Sequence, residues 1–217
     1  VPILQPGAPG NATREIDAET AVAIANSSYT VADVDFMQDM IIHHHQALLM
    51  AILAAPSTNN QAILDLAGRI DVSQADEISF MQDWLGEREE QVPDPTAEHS
   101  EHTHHNMNGM ATPEQMTQLA ESKSTDFDRL FLQLMITHHD GAIKMVKELR
   151  EQPGSTYDPL LNEFASDVTN DQAVEIERMN ALLIGLSSDP RAGLKAGLYD
   201  AGEAILNMQL LVSQHKP

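Results

Sequence analysis

The chain contains two copies of one motif, and this duplication constrains its fold more than any other feature. Residues 36–50 align without gaps on residues 131–145, and eight of the fifteen positions are identical. Both copies read F-x-x-x-M-x-x-H-H-x-x-A-x-x-M. Because a repeat shows which positions a chain keeps twice, the histidines and methionines of each copy are the first candidates for function. Imidazole nitrogen and thioether sulfur are borderline and soft metal ligands.

A second, shorter repeat follows each copy of the motif. Residues 74–85 match residues 172–183 in a pattern that begins Gln-x-x-Glu-Ile-x-x-Met. The first pair of copies is offset by 95 positions and the second pair by 98. Each repeat unit therefore consists of two segments, and the connection between them is three residues longer in the second unit.

Apolar residues recur at helical spacing in four segments, which predicts four long helices. Thr30 and Asp33 match a helix capping box, and Thr112-Pro113 restarts a short helix after the linker. No segment shows the alternation that is typical of a half-buried strand. The four predicted helices run from residue 30 to Pro56 and over about residues 59–90, 126–151 and 158–186.

The two repeats predict an all-α fold in which two helical hairpins pack as one antiparallel four-helix bundle. Two separate domains are the alternative, but a lone hairpin would leave its apolar stripe half exposed. The predicted divisions are an extended N-terminal tail, the first repeat, a histidine- and methionine-rich linker, the second repeat and a C-terminal helical extension. They cover residues 1–29, 30–92, 93–112, 113–186 and 187–217.

The charge balance restricts the partners that the chain can bind. It has 12 basic and 33 acidic residues, for a net charge of −21. Such a charge argues against nucleic acid, whose phosphates would be repelled. It is typical of a solvated acidic surface, of an exported protein, or of one that attracts cations. The oligomeric state stays open.

Export is the location that the sequence favours, either periplasmic or extracellular. The sequence begins at Val1 without an initiator methionine, and its first 27 residues are rich in Pro, Gly, Ala and Asn, as in many mature exported tails. No run of apolar residues reaches the roughly 20 that a membrane span needs. The absence of cysteine excludes disulfides and thiolate metal sites.

The repeated side chains have two interpretations, and the duplication fits both. In the first, they bind metal, with Glu77 and Glu175 accepting from the ring nitrogens that do not face the ion. In the second, His43 and His138 are buried core residues hydrogen-bonded to those glutamates, and the methionines fill the core. Met81 and Met179 are interpreted as core. The candidate ligands in the bundle are Met40, His43, His44, Met50, Met135, His138, His139 and Met145.

The linker favours the metal interpretation. A histidine-rich polar loop is typical of metal binding, and methionines incline it towards copper over zinc and nickel. The alternatives are a polar linker without function and the remnant of an affinity tag, and the interleaved Glu, Thr, Asn and Met argue against a tag. Without metal we expect residues 97–110 to be unprotected. The candidate ligands here are His99, His102, His104, His105, Met107 and Met110.

The second copy, F-L-x-L-M-I-x-H-H-x-G-A-x-x-M, together with F-D-R-L at residues 127–130, resembles the signature of the domain of unknown function 305 family. The first copy departs from it, with His45-Gln46 where the second has Asp140-Gly141. The resemblance implies a ferritin-like helical arrangement in a bacterial exported protein. Members of the CopM type are periplasmic copper-binding proteins linked to copper resistance, so it also implies Cu(I) or Cu(II), with zinc or iron as alternatives.

Three functions follow from these patterns. The one we favour is an exported metal-binding protein that uses copper in metal buffering, sequestration or resistance. The second is a ferritin-like metalloenzyme, which would need about four inward carboxylates and two Glu-x-x-His motifs. No such motif lies within a predicted bundle helix, so an enzyme is disfavoured. The third is a metal-free helical interaction module.

Overall fold

The structure is a computed structural model that describes residues 2–7, 10–18, 20–21, 28–94 and 107–187. Helices dominate these ranges, so the prediction of an all-α fold is confirmed. The predicted C-terminal extension after residue 187 lies outside the described residues. The helices are α1 (Val31–Ile52), α2 (Gln61–Gly86), α3 (Pro113–Glu121), α4 (Ser124–Arg150) and α5 (Pro159–Gly185).

A small antiparallel hairpin precedes the helices. It joins β1 (Ile3–Gln5) to β2 (Arg14–Ile16), with Ile3 opposite Ile16. The sequence predicted an extended tail here and identified no strand, so this hairpin was not predicted. Each strand has three residues, which is too few for a period-two pattern to register.

Local hydrogen bonds fix where the helices begin. Thr30 and Asp33 form the predicted capping box before α1, and Thr112 forms another with Gln115 before α3. The Asp158 carboxylate accepts from a backbone N–H in the first turn of α5. Each cap satisfies N–H groups that have no partner within the helix, so the chain enters these helices at defined residues.

The two hairpins, α1–α2 and α4–α5, pack against each other through α1 and α4. At the start of α1, Asp33 accepts a hydrogen bond from the backbone of Thr156, which follows α4. At the start of α4, Asp128 accepts one from Asn60, which follows α1. The start of each central helix thus lies beside the end of the other. α1 and α4 are therefore antiparallel and form the centre of one four-helix bundle.

The buried apolar side chains form two clusters. The first joins the start of α1, the end of α2, the end of α4 and the start of α5. The second joins the opposite ends of α1, α2 and α4 with Met179 of α5. The first includes Met40, Met81, Trp84, Met145 and Phe164; the second includes Met50, Ile70, Phe131, Met135 and Met179. Along every long helix, the boundary between the clusters falls at the repeated polar residues.

Candidate metal centre

A layer of polar side chains separates the two apolar clusters at mid-bundle. All four histidines of the repeated motif are fully buried in it, and none has measurable exposed surface. We call this the histidine layer; it consists of His43, His44, His138 and His139 with Gln74, Glu77, Gln172 and Glu175. Burying this much polarity at the centre of a helical core is costly unless the groups are paired or bind a ligand.

His43 and His138 meet on the contact between α1 and α4. Their ring centroids are 3.8 Å apart, with the ring planes inclined by 35°. The His43 Nε2–H donates to the backbone carbonyl of Asn108 at 3.0 Å. The His138 Nε2–H donates to the backbone carbonyl of His43 at 2.9 Å. A carbonyl can only accept, so each Nε2 carries the proton.

The second histidine of each pair binds the glutamate of its own hairpin. The His44 Nε2 lies 2.5 Å from the Glu77 carboxylate, and the His139 Nε2 lies 2.6 Å from that of Glu175. These glutamates were predicted, under the core interpretation, to pair with His43 and His138, and this was wrong. Adjacent helical residues differ by about 100° in direction, so one histidine faces the hairpin partner while its neighbour faces the other hairpin.

The Nδ1 atoms of all four rings are buried without a hydrogen-bond partner. Because the carbonyl and carboxylate acceptors engage Nε2–H, a neutral ring leaves its Nδ1 with a free lone pair. An unsatisfied buried polar atom costs about 1–3 kcal/mol, and this layer holds four such nitrogens. A neutral imidazole nitrogen with a free lone pair is the form that coordinates a metal, so these residues fit a metal ion.

Burial keeps the two central rings neutral. It lowers the pKa of His43 to about 3, assisted by the neighbouring His44 and opposed by the Asn108 carbonyl. Burial, with His43 next to it, also holds the pKa of His138 well below its usual range. Both rings are therefore neutral at physiological pH and available as ligands.

The methionines of the motif lie on opposite sides of the histidine layer. Met40 of α1 shares the first apolar cluster with Met145 of α4, whereas Met50 shares the second with Met135. Because α1 and α4 are antiparallel, the first methionine of one motif lies in the same cluster as the last methionine of the other. Each of the two clusters thus contains one motif methionine from each hairpin, a combination that spacing along a single helix does not reveal.

The linker residues differ in where they fall. His99, His102, His104 and His105 lie outside the described residues. Met107 and Met110 are described and half-buried, in a segment that packs on the bundle. The expectation that residues 97–110 are unprotected without metal stays a prediction; within them, the backbone carbonyl of Asn108 accepts a hydrogen bond from the His43 ring of α1.

Across the described ranges, no three side chains from among histidine, aspartate and glutamate are arranged to hold one metal ion. A tetrahedral zinc site made of such ligands alone is therefore not formed there. The motif methionines are buried in the two apolar clusters on either side of the layer. Imidazole with thioether is a donor set that selects Cu(I).

Two residues of the layer, Gln74 and Gln172, were not among the candidate site residues predicted from the sequence. Their exposed fractions are 2% and 3%, and amide atoms of both lack a partner. With Glu77 and Glu175 they line a groove of about 920 Å³ between α2 and α5. Both glutamines belong to the shorter duplicated pattern, residues 74–85 and 172–183, and lie one turn before the glutamates, so the duplication itself was the available signal.

Fold and site together define a helical-bundle protein with a buried histidine layer flanked by methionines. Residues 33–183 match the domain of unknown function DUF305, so the chain belongs to the DUF305 family, as its motif suggested. No functionally curated protein shows significant similarity to it.

Several solved structures are similar to the chain. A DUF305 protein from Streptomyces coelicolor, presumed to be secreted, is 29% identical with a TM-score of 0.61, over 75% of this chain and 94% of that one. CopM in its Cu(II)-bound form is 26% identical with a TM-score of 0.56, over 71% and 97% of the two chains. CopM in its Cu(I)-bound form is 26% identical with a TM-score of 0.55, over 71% and 96%.

Proposed function

We propose that this chain is an exported copper-binding protein that holds Cu(I) in the histidine layer and acts in copper buffering, sequestration or resistance. One observation carries the proposal: four buried imidazoles keep their Nε2–H groups on protein acceptors and leave four Nδ1 lone pairs without partners. A purely structural core gains nothing from four unpaired nitrogens in one layer, whereas coordination to metal would satisfy each nitrogen that takes part in it.

Copper is the metal that this chemistry supports best. Thioethers lie on both sides of the histidine layer, and sulfur of this kind is a poor ligand for magnesium, calcium or iron carboxylate centres. Glu77 and Glu175 would orient the rings of His44 and His139 and increase their basicity as ligands. The similarity to CopM, whose structures hold Cu(I) and Cu(II), supports the same assignment.

Export and a role for the linker complete the proposal. The similarity to a DUF305 protein presumed to be secreted supports an exported location. Among the described helices, none has the length and hydropathy needed to cross a bilayer. In addition to the buried site, the linker would supply an adaptable site of lower selectivity, made of His99, His102, His104 and His105.

The test is a Cu(I) competition titration against a chromophoric chelator, using protein purified without metal affinity. We expect Cu(I) to remain bound when the four linker histidines are replaced by serine. Replacing His45, a partly buried histidine of α1 outside the layer, should leave this binding unchanged and serves as the matched control. Complete loss of Cu(I) in the linker variant would overturn the assignment of the histidine layer as a copper site.

A further inference from the structure

The two repeats differ at one position that contacts the end of the linker. Gln46 and Gly141 are equivalent in the duplicated motif, since they are 95 positions apart. Both touch residues 107–111, a non-helical segment that we call the strap. The paired histidines and the alanine of the motif are the same in both copies, whereas this position and the one before it, His45 or Asp140, differ.

Gln46 holds the strap to α1 with two hydrogen bonds. Its side-chain amide donates to the Ala111 carbonyl at 2.9 Å, and its carbonyl oxygen accepts from the Ala111 N–H at 2.7 Å. Ala111 is itself buried in the second apolar cluster. A side-chain amide that satisfies both polar groups of one backbone residue fixes the register of the segment as well as its position.

Gly141 provides the space in which the strap lies. A Cβ atom at this position would come within 2.0 Å of the Asn108 carbonyl oxygen. The approach is equally close from the other side, because a Cβ at Gly109 would lie 2.4 Å from the Thr137 carbonyl oxygen. Gly109 also has a φ of +82°, which a side chain would strain. Only glycine at both positions allows this contact.

The strap bonds one histidine pair and not the other. The Asn108 carbonyl accepts the Nε2–H of His43, whereas the equivalent proton of His138 goes to a carbonyl within α1. The ring of His43 is therefore held by a segment that is fixed by a few hydrogen bonds. The ring of His138 is held by the bundle itself. Releasing a short segment costs much less free energy than separating packed helices. Of the two groups that hold these rings, the strap is therefore the easier to release.

We propose that the strap controls access to the first histidine pair, His43 and His44. Gln46 holds the strap and Gly141 provides the space for it, so that metal exchange at this pair requires release of the strap. The second pair exchanges metal without it. While the strap is closed, the bond to Asn108 fixes the orientation of the His43 ring; once it opens, the ring can rotate. Gln46 and Gly141 are thus positioning residues, and the two halves of the histidine layer are kinetically unequal. This inference rests on the proposed function.

The experiment compares Gly141→Ala and Gln46→Ala on the background that lacks the four linker histidines. Nitrogen-15 labelling of the histidine rings reports His43 and His138 separately. We expect exchange of the His43 N–H with solvent to accelerate about tenfold in both variants. Gln46→Ala removes two hydrogen bonds to the strap, and Gly141→Ala removes the space in which the strap packs. Loss of Cu(I) to a chelator should accelerate similarly at His43 and stay unchanged at His138.

Controls separate the strap from general destabilisation. Gly68→Ala is a glycine replacement within α2 where a Cβ would meet nothing within 4 Å, so it should change neither rate. Gln46→Glu keeps the acceptor for the Ala111 N–H and should fall between Gln46→Ala and the unsubstituted protein. If Gly141→Ala does not fold, Gln46→Ala still decides the question, since it only removes hydrogen bonds.

The outcomes distinguish failure of the strap proposal from failure of the proposed copper binding. Equal acceleration at both pairs, or none at either, would overturn the strap proposal while leaving copper binding intact. If the unsubstituted bundle takes up no Cu(I), the proposed function fails. Exchange of the His43 N–H, which needs no metal, would then still decide whether the strap holds the ring.

Discussion

Asp33 and Asp128 occupy the same position in the two repeats, and each binds the loop of the opposite hairpin. The Asp33 carboxylate accepts from the Thr156 backbone N–H at 2.9 Å, and the Asp128 carboxylate accepts from the Asn60 side chain at 2.9 Å. Both carboxylates are buried. The hairpins are therefore joined at both ends of the bundle by reciprocal polar contacts in addition to their shared apolar surface.

Asp33→Ala should destabilise the protein more than Asp128→Ala. Asp33 also accepts from the Thr30 N–H and hydroxyl, so its loss removes a helix cap together with the contact between hairpins. We expect a loss of about 2–3 kcal/mol in the free energy of unfolding, against about 1–2 kcal/mol for Asp128→Ala. Urea unfolding measures both. The exposed Asp35→Ala is the control and should change little; equal losses for Asp33 and Asp128 would contradict the cap's contribution.

Replacing His43 and His138 together by alanine should reduce Cu(I) binding on the background without linker histidines. Removing a ligand should cost more than the roughly ten- to hundredfold that loss of a ligand's outer partner costs. The melting temperature will fall as well, because two buried rings leave a cavity. Stoichiometry is therefore the decisive measurement. A lowered melting temperature with unchanged stoichiometry would assign these rings to the core and leave copper to the linker.

Glu77→Gln and Glu175→Gln should weaken copper binding to similar extents. Glutamine keeps an acceptor for the Nε2–H of His44 or His139 but removes the negative charge that makes the ring a better ligand. We expect about tenfold lower affinity for each variant, from competition titrations. Glu121→Gln, at an exposed carboxylate at the end of α3, controls for the change in net charge. Affinities that match the control would show that the two glutamates do not act on the metal.

The metal-free protein should lose stability in mild acid because of His43. Its folded pKa of about 3 lies below the ordinary histidine value of 6.5, so the unfolded state binds the proton first as pH falls. The stabilising effect of the neutral ring is complete above pH 6.5 and is lost progressively below it. Between pH 7 and 5, His43 alone should remove about 2 kcal/mol. Urea unfolding in a chelator should show a shallower pH dependence for His43→Leu, and an unchanged slope would refute this account.

The helices could be predicted from sequence because their signals are local. The capping box of Thr30 and Asp33, and the Asp158-Pro159 start of α5, each depend on a few neighbouring residues, and both are present in the structure. The two repeats also predicted that the chain folds into two helical hairpins that pack against each other. The strands at residues 3–5 and 14–16 were missed because each has three residues, too few for an alternating pattern.

The details of the candidate site could not be predicted, because they depend on which helix each face meets. Periodicity places His43 and His44 on one buried side of α1 but does not say that the first faces α4 and the second faces α2. Glu77 was therefore paired with the wrong ring. The hydrogen bond between His43 and Asn108 joins residues 65 positions apart in the chain, and no motif indicates it.

The unequal positions 46 and 141 show what fusion of the two hairpins makes available. Two identical hairpins related by a twofold axis would carry the same residue at this position in both copies. Such a dimer could have glutamine in both copies or glycine in both copies, but never glutamine in one and glycine in the other. A single chain removes this restriction, since each half can change alone. The strap thus depends on the two hairpins being able to differ. It makes two otherwise equivalent halves of the bundle structurally distinct.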